Sequence, residues 1–217
     1  VTEQTLGGRF GMTIGERYEG ILNAACSVIA RRGFHQASTR EIARAAGLSL
    51  AGLYHYVGQK DELLFLVLGR SLDRLVESLD RSLAAANRPE ERLLALIRTH
   101  LDFGFHHPHA LRIINRDHEL LADPGRAEIA AKRQAYLQRG LALLRSLDPH
   151  GRSDAELFSA TNLLLGMLNG IATRPFLRSA DDTAALAAEV GALFLHGFLE
   201  RAHHAGEPAA FALRRPA

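Results

Sequence analysis

Apolar side chains recur along most of the chain at three- and four-residue spacing, and no stretch alternates with the two-residue period of a strand. Near the start, Tyr18, Ile21, Leu22, Ala25, Val28 and Ile29 form one stripe, the pattern of a helix with a single buried face. Helix starts carry their own marks. Thr13 with Glu16, Ser38 with Glu41 and Ser153 with Glu156 have the spacing at which a hydroxyl and a carboxylate satisfy orphan backbone donors reciprocally. Pro89, Pro108 and Pro124 fall where the first turn of a helix has no use for a backbone N–H. These marks predict an all-α fold of about nine helices, roughly 14–32, 39–46, 50–56, 60–86, 89–106, 108–121, 124–147, 153–174 and 182–204. Gly7, Gly8 and Gly11 predict a mobile arm over 1–13, and 206–217 reads as a flexible tail. No internal repeat is present.

The stretch from Ser38 to Val57 obeys the steric demands of a helix-turn-helix. Two short helices that cross steeply need a small residue where they touch and a flexible one at the turn, and Ala43 and Gly47 stand four apart to supply them. Ile42, Ala46, Leu48 and Leu53 then fall inward on one apolar seam, while Leu50, Gly52 and His55 face outward. Such a head, spanning 14–60, implies a DNA partner and leaves 61–205 as a separate helical body.

The segment Ile21-Leu22-x-Ala24-Ala25, then Gly33-Phe34, Thr39, Ile42-Ala43-x-x-Ala46-Gly47, Ser49, Leu53-Tyr54-x-Tyr56-Val57 and Lys60-Asp61-x-Leu63, resembles the tetracycline-repressor family of bacterial regulators. The resemblance covers about fifty residues of the head, and beyond Leu64 it is one of architecture. It departs from the usual pattern at Val57, where Phe is common, and at Ala51-Gly52, where a Gly followed by a larger residue is common. Gly52 inside a short helix costs about 1 kcal/mol relative to Ala and offers no side chain to a base, so direct readout by that helix is expected to be thin.

By position, Ser38 and Thr39 open the second helix and are expected to hold the DNA backbone, with Ser49 in the turn. The resemblance implies that Arg40 reaches a base edge, since Arg paired to guanine is the commonest specific contact. Leu50 and Ala51 suit a thymine methyl, and Tyr54, His55 and Tyr56 offer polar tips. Lys60 matches the family's phosphate-binding lysine. Each has a plainer reading: Tyr54 or Tyr56 as core with only its hydroxyl exposed, Lys60 as a solvated residue, Arg40 paired with Glu41 or Asp61.

For the body, the resemblance implies a ligand-sensing and dimerising bundle. Its last two helices would pair with those of a second copy through Leu157, Asn162, Leu164, Leu165, Leu168, Ala184, Ala188, Leu193, Phe194 and Phe198. A two-fold homodimer is what a palindromic double-stranded operator requires. More loosely, the segment 111–141 resembles regulators in this family that answer to acyl-CoA thioesters. Arg112, Asn115, Arg116 and Glu119 on one helix, with Arg133, Tyr136 and Arg139 on the next and Asn169 beyond, are the expected ligand contacts; salt bridges account for the same arginines equally well. The expectation is a repressor whose effector, a small hydrophobic molecule such as an acyl-CoA or fatty-acid derivative, shifts the long helix from Lys60 and so the spacing of two heads.

Composition narrows this picture rather than making it. The chain has 217 residues, 47% of them hydrophobic and 23% charged, with a net charge of +2, too weakly basic for nonspecific DNA packaging. Cys26 is the sole cysteine; it permits no disulfide within the chain and reads as a small core filler. His100, His106, His107, His109 and His118 gather around Pro108, and His203-His204 end the last helix, but adjacent histidines on a helix point apart and no HExxH accompanies them; no metal or cofactor is expected. Neither is an enzyme, for there is no phosphate-binding glycine loop and no nucleophile elbow. With no membrane span and no secretion signal, a cytoplasmic protein is expected.

Overall fold

The computed structural model describes residues 13–173 and 180–200. The arm over 1–12, the tail after 200 and His203-His204 lie outside the described residues. Among those described there are no strands, and the helices are α1 (Ile14–Arg32), α2 (Thr39–Ala45), α3 (Leu50–Tyr56), α4 (Lys60–Ala84), α5 (Pro89–His106), α6 (Pro108–Arg116), α7 (Gly125–Leu147), α8 (Asp154–Ala172) and α9 (Ala180–Glu200), with a 3₁₀ turn at His118–Leu120. None is long and apolar enough to cross a membrane.

Capping explains most of the starts. Thr13 and Ser153 form complete capping boxes with Glu16 and Glu156. Ser38 accepts from the Glu41 backbone N–H at 3.1 Å, but the Glu41 carboxylate turns to Arg32 instead of closing the box. The sixth helix is shorter than its expected span of 108–121. It stops at Arg116 because Asp117 is buried at 2% exposure and is gripped by the Arg116 guanidinium at 2.7 Å; the chain then bends through the 3₁₀ turn to bury Leu121. Pro124 precedes α7 as its cap residue.

The head packs α1, α2 and α3 around Ile21, Ala25, Val28, Ile29, Ile42, Ala43, Leu53 and Val57, all buried. Gly47 ends α2 with φ +68°, a left-handed turn that only Gly adopts at no steric cost. Val57 at 2% exposure seals this core, so a smaller side chain serves where the resembled pattern usually has Phe. Helix α4 then runs from the head into the body, packing on α1 at one end and on α5 and α7 beyond. The body centres on α5, whose Leu93, Leu96, Ile97 and Leu101 are fully buried among α4, α7, α8 and α9. At Gly104 the backbones of α5 and α8 come so close that a Cβ would lie 2.5 Å from that of Ala172. Two ion pairs clamp α4 to α7: Lys132 to Asp73 at 2.6 Å and Arg139 to Asp80 at 2.7 Å.

Candidate nucleic-acid interface and buried polar cluster

The outer face of the head collects the side chains expected at DNA. Ser38, Arg40, Ser49, Ala51, Tyr54 and His55 are exposed, and Thr39, Leu50, Gly52, Tyr56 and Lys60 partly so. Two of the hydroxyls are already working as caps: Ser38 on α2, and Ser49, which accepts from the Gly52 N–H at 3.0 Å on α3. Each keeps its O–H free to donate. A Cβ at Gly52 would stand 3.2 Å from the Ser49 hydroxyl oxygen, a tight contact to which the cap would have to give way by a few tenths of an ångström. Tyr54 donates to Thr39 at 3.3 Å, tying the two helices at their exposed edge. On α3, Ala51 and His55 lie one turn apart and share a face. Lys60 donates to the His35 carbonyl at 3.1 Å and lies 4.5 Å from the Phe34 ring centroid. This holds its ammonium beside the loop between α1 and α2.

Arg40 makes no ion pair with Glu41 or Asp61 among the described residues; Glu41 pairs with Arg32 at 3.4 Å. A concavity of about 430 Å³ beside α2 is lined by Arg32, Ser38, Arg40, Glu41 and Arg44. Three guanidiniums against one carboxylate make it cationic. Arg32 and Arg44 escaped the sequence reading, although Arg44 stands one helical turn from Arg40, a spacing that puts both on one face.

In the body, side chains from four helices meet in one hydrogen-bonded cluster. His100 on α5 lies 3.0 Å from the Tyr136 hydroxyl through Nδ1 and 3.2 Å from Asn169 Oδ1 through Nε2. Asn115 on α6 donates to the same Asn169 oxygen at 2.9 Å. The bonding is consistent in one way: Tyr136 O–H donates to Nδ1, and the Nε2–H donates to Asn169. His100 and Tyr136 are buried, whereas Asn115 is exposed, so the cluster reaches from the packed interior to the surface. Burial lowers the His100 pKa to about 4 and pushes that of Tyr136 well above its ordinary value, leaving both neutral across the physiological range.

Of the body residues expected at a ligand, Asn115, Tyr136 and Asn169 are thus brought together, joined by His100. The others lie elsewhere. Arg112 and Glu119 are exposed, and Arg139 is engaged with Asp80. Arg116 reaches across to α1, donating to the Ile29 carbonyl at 2.9 Å. Helix α6 therefore touches the cluster through Asn115 and the head through the next residue. His100 had no signal of its own in the sequence beyond sitting on an apolar helix face. The residues expected at the dimer divide too: Leu157, Leu164, Leu168 and Phe198 are buried within this one chain, while Asn162, Ala188 and Leu193 are exposed, Leu193 at 75%. Phe158, Leu163 and Met167, which were not expected there, are exposed as well. Among the described residues no group of three or more His, Cys, Asp or Glu is placed to hold a metal ion.

Comparison with known proteins matches residues 21–67 to the family described as bacterial regulatory proteins, tetR family, and residues 86–173 to the tetracyclin repressor-like C-terminal domain, together more than half of the chain. The HTH-type transcriptional activator FasR of Mycolicibacterium smegmatis is 36% identical over 99 residues, 46% of this chain and 45% of that protein. The aligned part of the chain thus spans less than half of this relative's length. Among solved structures, a TetR-family transcriptional regulator from Bordetella parapertussis is similar with a TM-score of 0.75 and 26% identity, over 82% of this chain and 93% of that one. AibR, solved in complex with isovaleryl coenzyme A and operator DNA, is similar with a TM-score of 0.72 and 27% identity, over 82% of this chain and 98% of that one.

Proposed function

The chain belongs to the tetR family of bacterial regulatory proteins, and on that footing we propose that it is a dimeric repressor that releases palindromic operator DNA when a small acyl effector enters the body. One observation carries the mechanism: Asn115 and Arg116 are neighbours on α6, the first bonded into the buried cluster and the second to the α1 backbone. An effector whose carbonyl accepts the N–H that His100 now donates to Asn169 parts those two side chains and so disturbs the bond that Asn115 donates to the same Asn169 oxygen. Helix α6 then shifts, and through Arg116 it pulls on α1 and the head. Ligand binding alters DNA affinity only if the effector prefers the shifted arrangement, and the coupling is reciprocal.

The choice of an acyl-CoA or fatty-acid derivative draws support from AibR, whose structure holds isovaleryl coenzyme A, and from an apolar bundle with one polar cluster, the composition effector sites favour. Arg40, Arg44 and Lys60 are assigned to the operator. Titration of acyl-CoAs and free fatty acids into the protein–operator complex, followed by gel shift, tests the reading. Release by one of these classes is expected for the unaltered chain. The Asn115→Ala variant should bind operator normally yet resist release. If no acyl compound releases the DNA, or if Asn115→Ala responds like the unaltered chain, the mechanism fails. Run-off transcription fixes the sign of regulation: repression relieved by effector is expected, and stimulation would instead align the protein with an activator such as FasR.

A further inference from the structure

A second cavity lies away from that cluster, at the joint between head and body. It encloses about 230 Å³ between α1, α4 and the turn from α5 to α6. Arg70, Arg74, His106, His107 and His109 line it, and no Asp or Glu does. The carboxylate nearest these guanidiniums, that of Glu19, is shared: it accepts from Arg70 at 2.5 Å and from Arg74 at 2.8 Å. Two positive charges therefore divide one negative charge. Asn23 accepts a further bond from Arg70 at 2.9 Å, yet Arg70 Nε and His109 Nδ1 are both buried without a hydrogen-bond partner. Buried polar atoms left unmatched are uncommon and costly, and Arg70 Nε is a donor by its chemistry.

Other groups in the wall do not supply the missing charge. Burial raises the Cys26 pKa to about 11 even with Arg70 and Arg74 nearby, so the thiol remains protonated. Burial and the neighbouring arginines lower the His107 pKa, and burial, with Arg112 and Arg31, does the same at His109. A cation is disfavoured here by the same field that depresses these imidazoles.

We propose that this cavity is a binding site for a small oxyanion, a carboxylate or a phosphate group, held by Arg70 and Arg74 and bridging the head helix α1 to the body. Paired guanidiniums suit either group through parallel N–H···O bonds. The walls belong to α1 on one side and to α4 and the α5–α6 turn on the other. An anion that joins them fixes the angle of the head and so modulates operator affinity independently of the bundle-centre effector.

Thermal melting and isothermal calorimetry of the full chain, with inorganic phosphate, acetate or chloride at matched ionic strength, test this. Phosphate or acetate is expected to raise the melting temperature by about 5 °C over chloride at saturation, with one anion bound per protomer; whichever of the two acts identifies the group. Arg74→Gln should lose that increment, Arg74→Lys should recover part of it, and Arg139→Gln should keep it in full. Operator affinity is expected to change about five-fold with the anion in the unaltered chain and not in Arg74→Gln. The Asn115→Ala variant should retain anion binding, which separates this site from the proposed effector site. The proposal is overturned if chloride stabilises equally, if calorimetry of the unaltered chain shows no site or many weak ones, or if Arg74→Gln responds in full.

Discussion

His100 shows how a single side chain acquires meaning only through its neighbours. In sequence it is one histidine among several near Pro108. In the fold it is 3% exposed and bonded to Tyr136 and Asn169, partners 36 and 69 positions away, a separation no periodicity reports. Its pKa is lowered by burial to about 4, below the ordinary value near 6.5. The folded state therefore holds it neutral while the unfolded chain binds a proton, and stability is lost as pH falls from about 6.5 toward 4. Between pH 7 and pH 5 this one group should cost about 2 kcal/mol. His107, His109 and His118 are shifted in the same direction and add to the slope. Urea unfolding at both pH values checks the size: His100→Gln should shallow the pH dependence by about 2 kcal/mol, and an unchanged slope would show that the imidazole is not held neutral. Serines are the opposite case. Ser38 and Ser153 cap helices whose starts are local events, so their sites are legible from four consecutive residues, and Ser49 caps α3 in the same way although the sequence places it only in the turn.

At the scale of elements, the head was readable because its constraints are short in sequence: a cap, a small residue at the crossing, Gly47 at the turn. Helix α6 ends short of its expected span of 108–121 because its end is set from outside. Asp117 is buried, and its counter-charge, Arg116, is simultaneously bound to the carbonyl of Ile29, 87 residues earlier. That pairing predicts an asymmetry. Arg116→Ala leaves a buried carboxylate without its partner and should destabilise the fold by about 3 kcal/mol, measured by chemical denaturation. Adding Asp117→Asn to that variant removes the stranded charge and should recover a large part of the loss. If the double substitution is no more stable than Arg116→Ala alone, the cost lies in the bond to α1 and not in Asp117. The arginines on α7 are an instructive contrast: Arg139 was expected at a ligand and is found holding α4 at Asp80, the plainer reading that its charge alone left open.

For the whole molecule, the exposed apolar residues carry the argument for a second copy. Phe158, Leu163 and Met167 on α8 and Leu193 on α9 are between 39% and 75% exposed. They lie on the two helices that the family resemblance implies for dimerisation; Leu193 is among the side chains expected there, whereas Phe158, Leu163 and Met167 are not. Leu164 and Leu168 fill the core of this chain, and their neighbours in sequence face outward; a helix buried on one side and paired on the other shows apolar residues all round, so the pattern cannot say which row does which. Rows of this kind mark interfaces in proteins that stay soluble. The pair Leu163→Glu and Leu193→Glu should therefore leave the fold intact, with unaltered helical content, yet convert a dimer to a monomer in sedimentation velocity. Operator affinity should then fall by about a hundred-fold or more, because two tethered heads engage two half-sites with an effective concentration that separate heads lack. A monomeric variant that still binds the full operator tightly would remove the need for a two-headed molecule. A variant that remains dimeric would place the interface on a different face.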